Sequence, residues 1–266
     1  MKNYHETFQK LKSRKEGALM PFTVIGYPNY SASLKIALAM VSAGADMLEL
    51  GLPFSDPIAD GPTIQAANNE ALANGMNTDK VFGFVRELRK KTDVPIGLLA
   101  YYNLIYQRGT EKFYRDARES GVNSVLIADM PVEEFDEVMN HSKKNNIDAV
   151  LMASPLSGSK RIKKIAEMST GFIYAVSRLG VTGARAGLDK TAVELIKKIR
   201  KATDKPICLG FGISRPENVQ AAINAGADGA IVGSAVIDLI RKCKGEREML
   251  AQLSDYISSL KKATLK

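Results

Sequence analysis

The chain contains no tryptophan, and only two histidines and two cysteines occur among its 266 residues. His5 lies in a leading helix and His141 at a helix end, so no histidine triad and no histidine-rich metal site is available at the strand ends. Cys208 and Cys243 lack the spacing of a zinc or redox motif, and one disulfide would be a poor framework at this size. We therefore expect reduced cysteines and no metal.

Long apolar runs are also absent. No run approaches the roughly 18 residues of a membrane span, and the mixed-charge start lacks the apolar centre of a secretion signal. We expect a cytoplasmic protein with no membrane partner. The net charge of +8 raises the possibility of a nucleic-acid partner. Seven of the eight excess charges, however, lie in residues 1–16 and 241–266, which argues against a basic groove and predicts no such partner.

A regular alternation of short apolar runs and stretches of helical spacing is present instead. This pattern is typical of βα units around a parallel sheet. The predicted strands span residues 18–26, 46–51, 94–100, 122–128, 147–152, 171–176, 206–210 and 229–232. The predicted helices span residues 3–13, 31–43, 62–74, 78–91, 110–120, 133–145, 158–168, 189–202, 215–225, 234–243 and 246–263.

Weak internal repeats support eight equivalent units. Residues 43–46 and 225–228 both read Ala-Gly-Ala-Asp, and each precedes a predicted strand. No linker rich in proline, glycine or serine interrupts the rhythm, so residues 1–266 are expected to form a single domain. Eight units favour a closed (βα)8 TIM barrel over an open doubly wound sheet, with an extra N-terminal helix and extra C-terminal helices. Chemistry in such barrels sits at the carboxyl ends of the strands.

Glu49 stands in the middle of the second predicted strand, where both faces should be buried. Burial raises the pKa of an unpartnered carboxyl toward the range useful for general acid–base catalysis. The alternative is an ion pair with a lysine or arginine of another strand. The predicted strands contain neither residue, which weakens that alternative and also disfavours a Schiff-base lysine on a strand.

A loop with three prolines and two aspartates follows this strand at residues 52–62. Aspartates in such loops usually hydrogen-bond nearby backbone N–H groups, and we assign Asp56 that role. Asp60 could act in the same way. It also follows Glu49 closely enough for both carboxylates to face one pocket.

Glycine-containing turns follow the sixth, seventh and eighth predicted strands, at residues 180–184, 210–214 and 233–234. Each alone could be only a turn. Together they favour a phosphate site, because glycine lets backbone N–H groups approach an anion and Ser234 would cap a short helix whose N-terminus attracts it. The chemistry that remains is acid–base catalysis by carboxylates on a phosphorylated small molecule.

Residues 49–65 closely resemble the most characteristic segment of the α subunit of tryptophan synthase. The resemblance continues through residues 95–101, 128–131, 177–185, 210–214 and 233–235. It implies a (βα)8 lyase of tryptophan biosynthesis that cleaves indole-3-glycerol phosphate to indole and glyceraldehyde 3-phosphate. It also implies no cofactor in this chain and an α2β2 heterotetramer, in which the partner β subunit carries pyridoxal phosphate and consumes the indole.

The same resemblance assigns roles to individual residues. It implies that Glu49 is the catalytic acid–base, that Asp60 engages the indole N–H and that Tyr174 lies near the substrate, although Tyr174 could equally be a core aromatic. It leaves open which group deprotonates the glycerol hydroxyl. The residues implied to line the apolar slot for the indole ring are Phe22, Leu99, Tyr101, Leu126 and Phe211. Those implied to hold the phosphate are Gly183, Gly212, Gly233 and Ser234.

Two other readings stay open on the sequence alone. The chain could be another phosphate-binding (βα)8 enzyme, or a non-catalytic barrel that acts as a binding subunit. The presence of both Glu49 and Asp60 argues against a barrel without activity.

Overall fold

Eight parallel strands form a closed barrel in a computed structural model that describes residues 2–176 and 190–265. Each strand pairs with its sequence neighbours, and β1 also pairs with β8, which rules out an open sheet and confirms the predicted barrel. The strands are β1 (Ala18–Val24), β2 (Leu48–Gly51), β3 (Ile96–Ala100), β4 (Ser124–Ile127), β5 (Asp148–Ala153), β6 (Ile173–Val176), β7 (Ile207–Gly210) and β8 (Gly229–Val232).

Twelve helices surround the barrel in the described ranges, and none of these helices is both long and apolar enough to cross a membrane. They are α1 (Tyr4–Ser13), α2 (Tyr30–Ser42), α3 (Pro62–Ala73), α4 (Thr78–Arg89), α5 (Tyr102–Arg108), α6 (Thr110–Ser120), α7 (Asp136–Lys144), α8 (Ser159–Met168), α9 (Lys190–Arg200), α10 (Pro216–Asn224), α11 (Ser234–Lys242) and α12 (Glu246–Lys262).

The short helix α5 is the one that the sequence pattern missed. Ile105 is its only buried residue, whereas Tyr106 is exposed, so no apolar face repeats at helical spacing. Three other helices begin after an asparagine that caps them, which is a signal that can be read from the sequence. The side chains of Asn3, Asn29 and Asn77 each accept a backbone N–H in the first turn of the helix that follows.

Alternating side chains of the strands bury two separate cores. Outward-facing residues pack against the ring of helices, while inward-facing residues fill the barrel interior, where Met20, Met47, Phe172 and Cys208 belong to one cluster. Burial on both faces explains why the strands read as nearly continuous apolar runs. A charged residue at an inward position is therefore conspicuous.

Helix α1 closes the end of the barrel at which the strands begin. The Tyr4 and Phe172 rings lie 5.3 Å apart, and the Tyr4 hydroxyl lies 2.9 Å from the Ser124 hydroxyl. Gly97 makes this approach possible, because a Cβ at that position would be 2.8 Å from both hydroxyl oxygens. The opposite end of the barrel, where the strands finish, contains a cavity.

Candidate active site

A cavity of about 140 Å³ lies at the carboxyl ends of the strands. It is where chemistry is expected in this fold, and it gathers residues from strands that are far apart along the chain. Nine of the twelve predicted site residues line it: Phe22, Glu49, Asp60, Leu99, Tyr174, Phe211, Gly212, Gly233 and Ser234.

Glu49 projects into the barrel from β2, where its backbone is in register with Phe22 of β1 and Gly97 of β3. The side chain is 4% exposed, and only burial and the charge of Asp60 act on its carboxyl, with no hydrogen bond or ion pair to it from residues 2–176 and 190–265. Burial, assisted by the charge of Asp60, raises its pKa to about 8. The alternative of an ion pair with a basic strand residue finds no support, and Glu49 is mostly protonated at neutral pH.

Asp60 lies in the loop after β2 and is 8% exposed. Burial raises its pKa to about 6, while the Tyr101 hydroxyl and the Asn68 amide oppose that rise by favouring the charged form. The Asn68 Nδ2 atom donates to Asp60 Oδ2 over 3.5 Å. At neutral pH this carboxylate is mostly ionised. The two neighbouring carboxyls are thus separated in pKa, which suits one to act as an acid and the other to stabilise positive charge.

The loop that carries Asp60 is held by α3 and by the residue that follows β3. Asn68 Oδ1 accepts from the Phe54 backbone N–H over 3.2 Å, and the Tyr101 hydroxyl accepts from the Ala59 N–H over 3.2 Å. The Phe54 and Tyr101 rings are stacked, with centroids 5.0 Å apart. These contacts fix the backbone on both sides of Asp56, and they add to the restriction that the prolines already place on the loop.

Three predicted site residues do not appear in the wall of the cavity. Tyr101 is buried and is not in the wall, but its hydroxyl supports the loop by accepting from the Ala59 N–H and by bonding to Asp60. Leu126 is buried in the interior cluster that includes Tyr4 and Phe172. Gly183 lies outside the described residues.

Two aromatic residues close one side of the cavity. The Tyr174 and Phe211 rings meet edge to face, with centroids 6.3 Å apart. Gly210 leaves room for the tyrosine, since a Cβ there would lie 2.3 Å from its hydroxyl oxygen. Phe211 has φ of 69°, an unfavourable conformation for a bulky residue. Such strain persists where the surrounding structure requires it, often at functional sites.

The start of α11 forms the other end of the cavity, together with Gly212. Free backbone N–H groups and the positive end of the helix dipole favour an anion there. The expected cap is corrected by one residue: Gly233 is the N-cap, and Ser234 is the first helical residue without a capping side-chain bond. Both residues still line the cavity, so this end of the cavity suits a phosphate.

Seven wall residues were not among the predicted site residues, and two of these, Thr63 and Asp238, bond to each other. The Thr63 hydroxyl donates to Asp238 Oδ1 over 3.1 Å and so joins α3 to α11. Each residue lies in a helix. Thr63 falls within the characteristic segment at residues 49–65, but the resemblance assigns it no role, and Asp238 lies outside every segment of the resemblance. Only their proximity in space marks them as part of the site.

A second cavity of about 650 Å³ adjoins the first and shares Asp60 and Phe211 with it. Its wall also includes Ile58 and Met130, from the loops after β2 and β4. No group of three or more metal-ligating side chains is present among residues 2–176 and 190–265.

Comparison with known proteins gives consistent matches. The family model described as tryptophan synthase alpha chain matches residues 8–265. The tryptophan synthase alpha chain of Methanothermobacter thermautotrophicus is 47% identical, over 98% of this chain and 96% of the relative, and that of Vibrio vulnificus is 44% identical over the full length of both.

Solved structures give the same picture. A tryptophan synthase structure from Mycobacterium tuberculosis aligns with a TM-score of 0.91 at 28% identity, over 99% of this chain and 98% of that one. A structure of the tryptophan synthase complex from Pyrococcus furiosus aligns with a TM-score of 0.84 at 36% identity, over 92% and 98%.

Proposed function

Since the chain belongs to the tryptophan synthase alpha chain family, we propose that Glu49 and Asp60 share the acid–base chemistry of the family's reaction. The observation that supports this proposal most directly is the position of both carboxyls in one cavity with the start of α11. A proton donor, a charge-stabilising carboxylate and an anion site thus lie within reach of one small substrate.

The reaction is the cleavage of indole-3-glycerol phosphate to indole and glyceraldehyde 3-phosphate in tryptophan biosynthesis. The chain is a lyase that assembles with a β subunit, to which the indole passes. It needs no cofactor of its own, and the pyridoxal phosphate belongs to the β subunit.

In our proposal Glu49 provides the proton that starts the cleavage. The carbon–carbon bond to be broken joins the indole ring to the glycerol chain, and the ring must accept the electrons of that bond. Protonation of the ring carbon at this bond turns the indole into an electron sink. Glu49 suits this step because burial holds it mostly protonated at neutral pH, with a pKa of about 8.

Asp60 stabilises the charge that this protonation creates. Positive charge develops on the ring nitrogen, and an ionised carboxylate in a water-poor pocket stabilises such charge strongly. The pKa of about 6 keeps Asp60 ionised at neutral pH, and its bond from Asn68 limits its movement. The two carboxyls therefore act in the same step at two atoms, Glu49 at the ring carbon and Asp60 at the ring nitrogen.

Removal of the proton from the glycerol hydroxyl completes the reaction. The hydroxyl O–H bond breaks, a carbonyl forms, and the electrons of the carbon–carbon bond return to the ring to give indole. We assign this proton to Glu49, which is a carboxylate after the first step and becomes protonated again. The catalyst is then restored without a metal or a lysine adduct.

The remaining wall residues position the substrate. Phe22, Leu99 and Phe211 provide an apolar slot for the ring, and Gly212, Gly233 and Ser234 face the phosphate. The Tyr174 hydroxyl keeps its proton, because burial raises the pKa of that group well above its usual value. It can therefore donate a hydrogen bond in the slot.

An indole-formation assay tests these assignments. The purified chain is incubated with indole-3-glycerol phosphate, with and without a β subunit, beside Glu49→Gln and Asp60→Asn. We expect each substitution to lower turnover by at least about a hundredfold while the circular-dichroism spectrum stays unchanged. A variant that keeps most of the activity would remove that residue from the mechanism.

We further propose that the β subunit docks at the rim around the cavity mouth. Ile58, Tyr106 and Leu156 are large apolar side chains, 82%, 64% and 76% exposed, and they follow β2, β3 and β5. Exposed apolar groups clustered on one face are typical of interaction surfaces. Ile58→Asp or Leu156→Asp should weaken β-subunit binding in calorimetry, whereas Leu265→Asp, an exposed leucine at the chain's end, should not.

Two coarser proposals complete this assignment. Residues 1–266 form one domain, an idea supported by the closure of the barrel between β1 and β8, and coincident unfolding transitions by fluorescence and circular dichroism would test it. The protein works in the cytoplasm, an idea supported by two free thiols, Cys208 and Cys243, and cell fractionation would test it.

A further inference from the structure

The two ends of the cavity are linked by one side-chain hydrogen bond. Thr63 is the second residue of α3, three residues after Asp60, and Asp238 lies in α11, whose start faces the phosphate end. The Thr63 hydroxyl donates to Asp238 Oδ1 over 3.1 Å, and both side chains are half-buried in the cavity wall.

The chain between Asp60 and Thr63 is short and conformationally restricted. It consists of Gly61, which is the N-cap of α3 without a capping side-chain bond, and Pro62, whose ring fixes its backbone. A displacement of the start of α3 is therefore transmitted to Asp60. Since α3 also packs against α11, the bond lies at the contact between the two helices.

An acidic side chain is unexpected at the position of Asp238. A carboxylate in the wall of a phosphate-binding cavity repels the substrate's anion. Among residues 2–176 and 190–265, Thr63 is the hydrogen-bond donor that the geometry assigns to it. The bond to Thr63 gives this carboxylate a role that offsets the repulsion.

We propose that Thr63 and Asp238 are positioning residues that hold the Asp60 loop at a fixed distance from the phosphate end of the cavity. A substrate anchored by its phosphate at α11 then presents its ring nitrogen at the correct distance from Asp60. The inference rests on the proposed role of Asp60 and adds the two residues that fix its position.

A double-mutant cycle on turnover tests the link. Thr63→Val keeps the shape of the side chain and removes the donor, and Asp238→Ala removes the acceptor. Each should lower kcat by about tenfold, because small misplacements of a reacting group are costly. KM should change little in Thr63→Val, since the phosphate-facing backbone is untouched, and should fall in Asp238→Ala, since the repulsion of the phosphate is removed. If the two residues act only through their shared bond, the double variant loses about tenfold and not about a hundredfold.

Conservative variants separate positioning from general support of the fold. Thr63→Ser and Asp238→Asn preserve a donor and an acceptor oxygen, so both should restore kcat to within about twofold of the parent. Thr7→Val is the matched control, because its hydroxyl bonds to the Asn3 carbonyl in α1 at the opposite end of the barrel. Unfolding midpoints measured in parallel show that all variants are folded in the assay.

The outcomes distinguish failure of the positioning pair from failure of the proposed role of Asp60. Additive losses in the cycle, unchanged kcat in Thr63→Val, or no rescue by Thr63→Ser would each overturn the link. Asp60→Asn is assayed in the same series. Near-normal turnover of that variant would overturn the proposed role of Asp60 itself, whereas its inactivity together with additive losses would overturn only the positioning pair.

Discussion

The two ends of the barrel interior are built from the same strands, yet in the part of the chain that the structure describes a buried polar group is hydrogen-bonded at one end and unpaired at the other. At the closed end, the Tyr4 hydroxyl is paired with Ser124, and the aromatic rings of Tyr4 and Phe8 pack against Phe172. At the open end, the Glu49 carboxyl is buried without a hydrogen-bond partner in the described residues.

Because of this difference, the closed end contributes to the stability of the barrel and the open end contributes to its chemistry. Paired polar groups and packed rings stabilise the closed end, whereas a buried carboxyl with a raised pKa destabilises the open end when it ionises. The same destabilisation makes the carboxyl a proton donor at neutral pH. Substitutions at the closed end should therefore change stability alone, and those at the open end should change activity, sometimes with a gain in stability.

The largest effect is expected from Phe172→Ala at the closed end. The cavity left by the ring should lower the free energy of unfolding by about 3 kcal/mol or more, while kcat of the folded enzyme stays within about twofold. Urea denaturation and indole formation measure the two quantities. Phe211→Ala is the matched control at the open end, and it should raise KM with a smaller loss of stability. A large fall in kcat for folded Phe172→Ala would contradict the separation.

Glu49→Gln should have the opposite sign on stability. Burial raises the pKa of Glu49 from 4.5 to about 8, so between these values the folded state holds a proton that the unfolded state has released. Stability from this group therefore falls as the pH rises through that range. Removing the charge should raise the free energy of unfolding by a few kcal/mol at pH 8, and by much less near pH 5, and it should abolish indole formation.

The control for this experiment is Glu119→Gln, which alters an exposed glutamate of α6. Its unfolding free energy should follow that of the parent at every pH. If the difference between Glu49→Gln and the parent does not depend on pH between about 5 and 8, the raised pKa of Glu49 is wrong.

Tyr4→Phe should cost less, about 1 kcal/mol, because it leaves the buried Ser124 hydroxyl without its partner. Ser124→Ala should cost a similar amount, and the double variant should lose less than the sum of the two. Turnover should be unchanged in all three variants. Reduced kcat in Tyr4→Phe would connect the closed end to the chemistry.

The smallest effect is a shift in pH dependence. The proposed mechanism requires an ionised Asp60 and a protonated Glu49, so kcat/KM should fall below about pH 6 and above about pH 8. Tyr101→Phe keeps the ring on Phe54 but removes the hydroxyl that lowers the pKa of Asp60. The acid limb should move up by about half a pH unit. Tyr102→Phe, one residue away, should leave both limbs in place, and a shift there would contradict this assignment.

Most of the fold could be predicted because its signals are local. Buried parallel strands such as β2 and β8 read as short apolar runs, and glycine turns separate them from amphipathic helices. The helix α5 was missed because its seven residues bury only Ile105 and so show no apolar periodicity. Its position depends on packing against α6, which a short window of sequence does not contain.

Part of the cavity wall could also be predicted. Glu49 stands out as a charge inside an apolar run, and Gly212 and Gly233 follow strands at places where phosphate sites are common. The roles of Tyr101 and Leu126 were not visible, because an apolar or aromatic residue at a strand end can face the cavity, the loop or the interior. The register of neighbouring strands and the path of the loop decide among these directions.

The sequence by itself determined the barrel, the family and the pair of carboxyls, since periodicity and a misplaced charge are properties of neighbouring residues. The tertiary structure decided the rest. The different pKa values of Glu49 and Asp60 depend on burial by distant strands, and the bond from Thr63 to Asp238 joins residues 175 positions apart. Electrostatics and hydrogen bonding act over a few ångströms in space, and only the folded chain sets those distances.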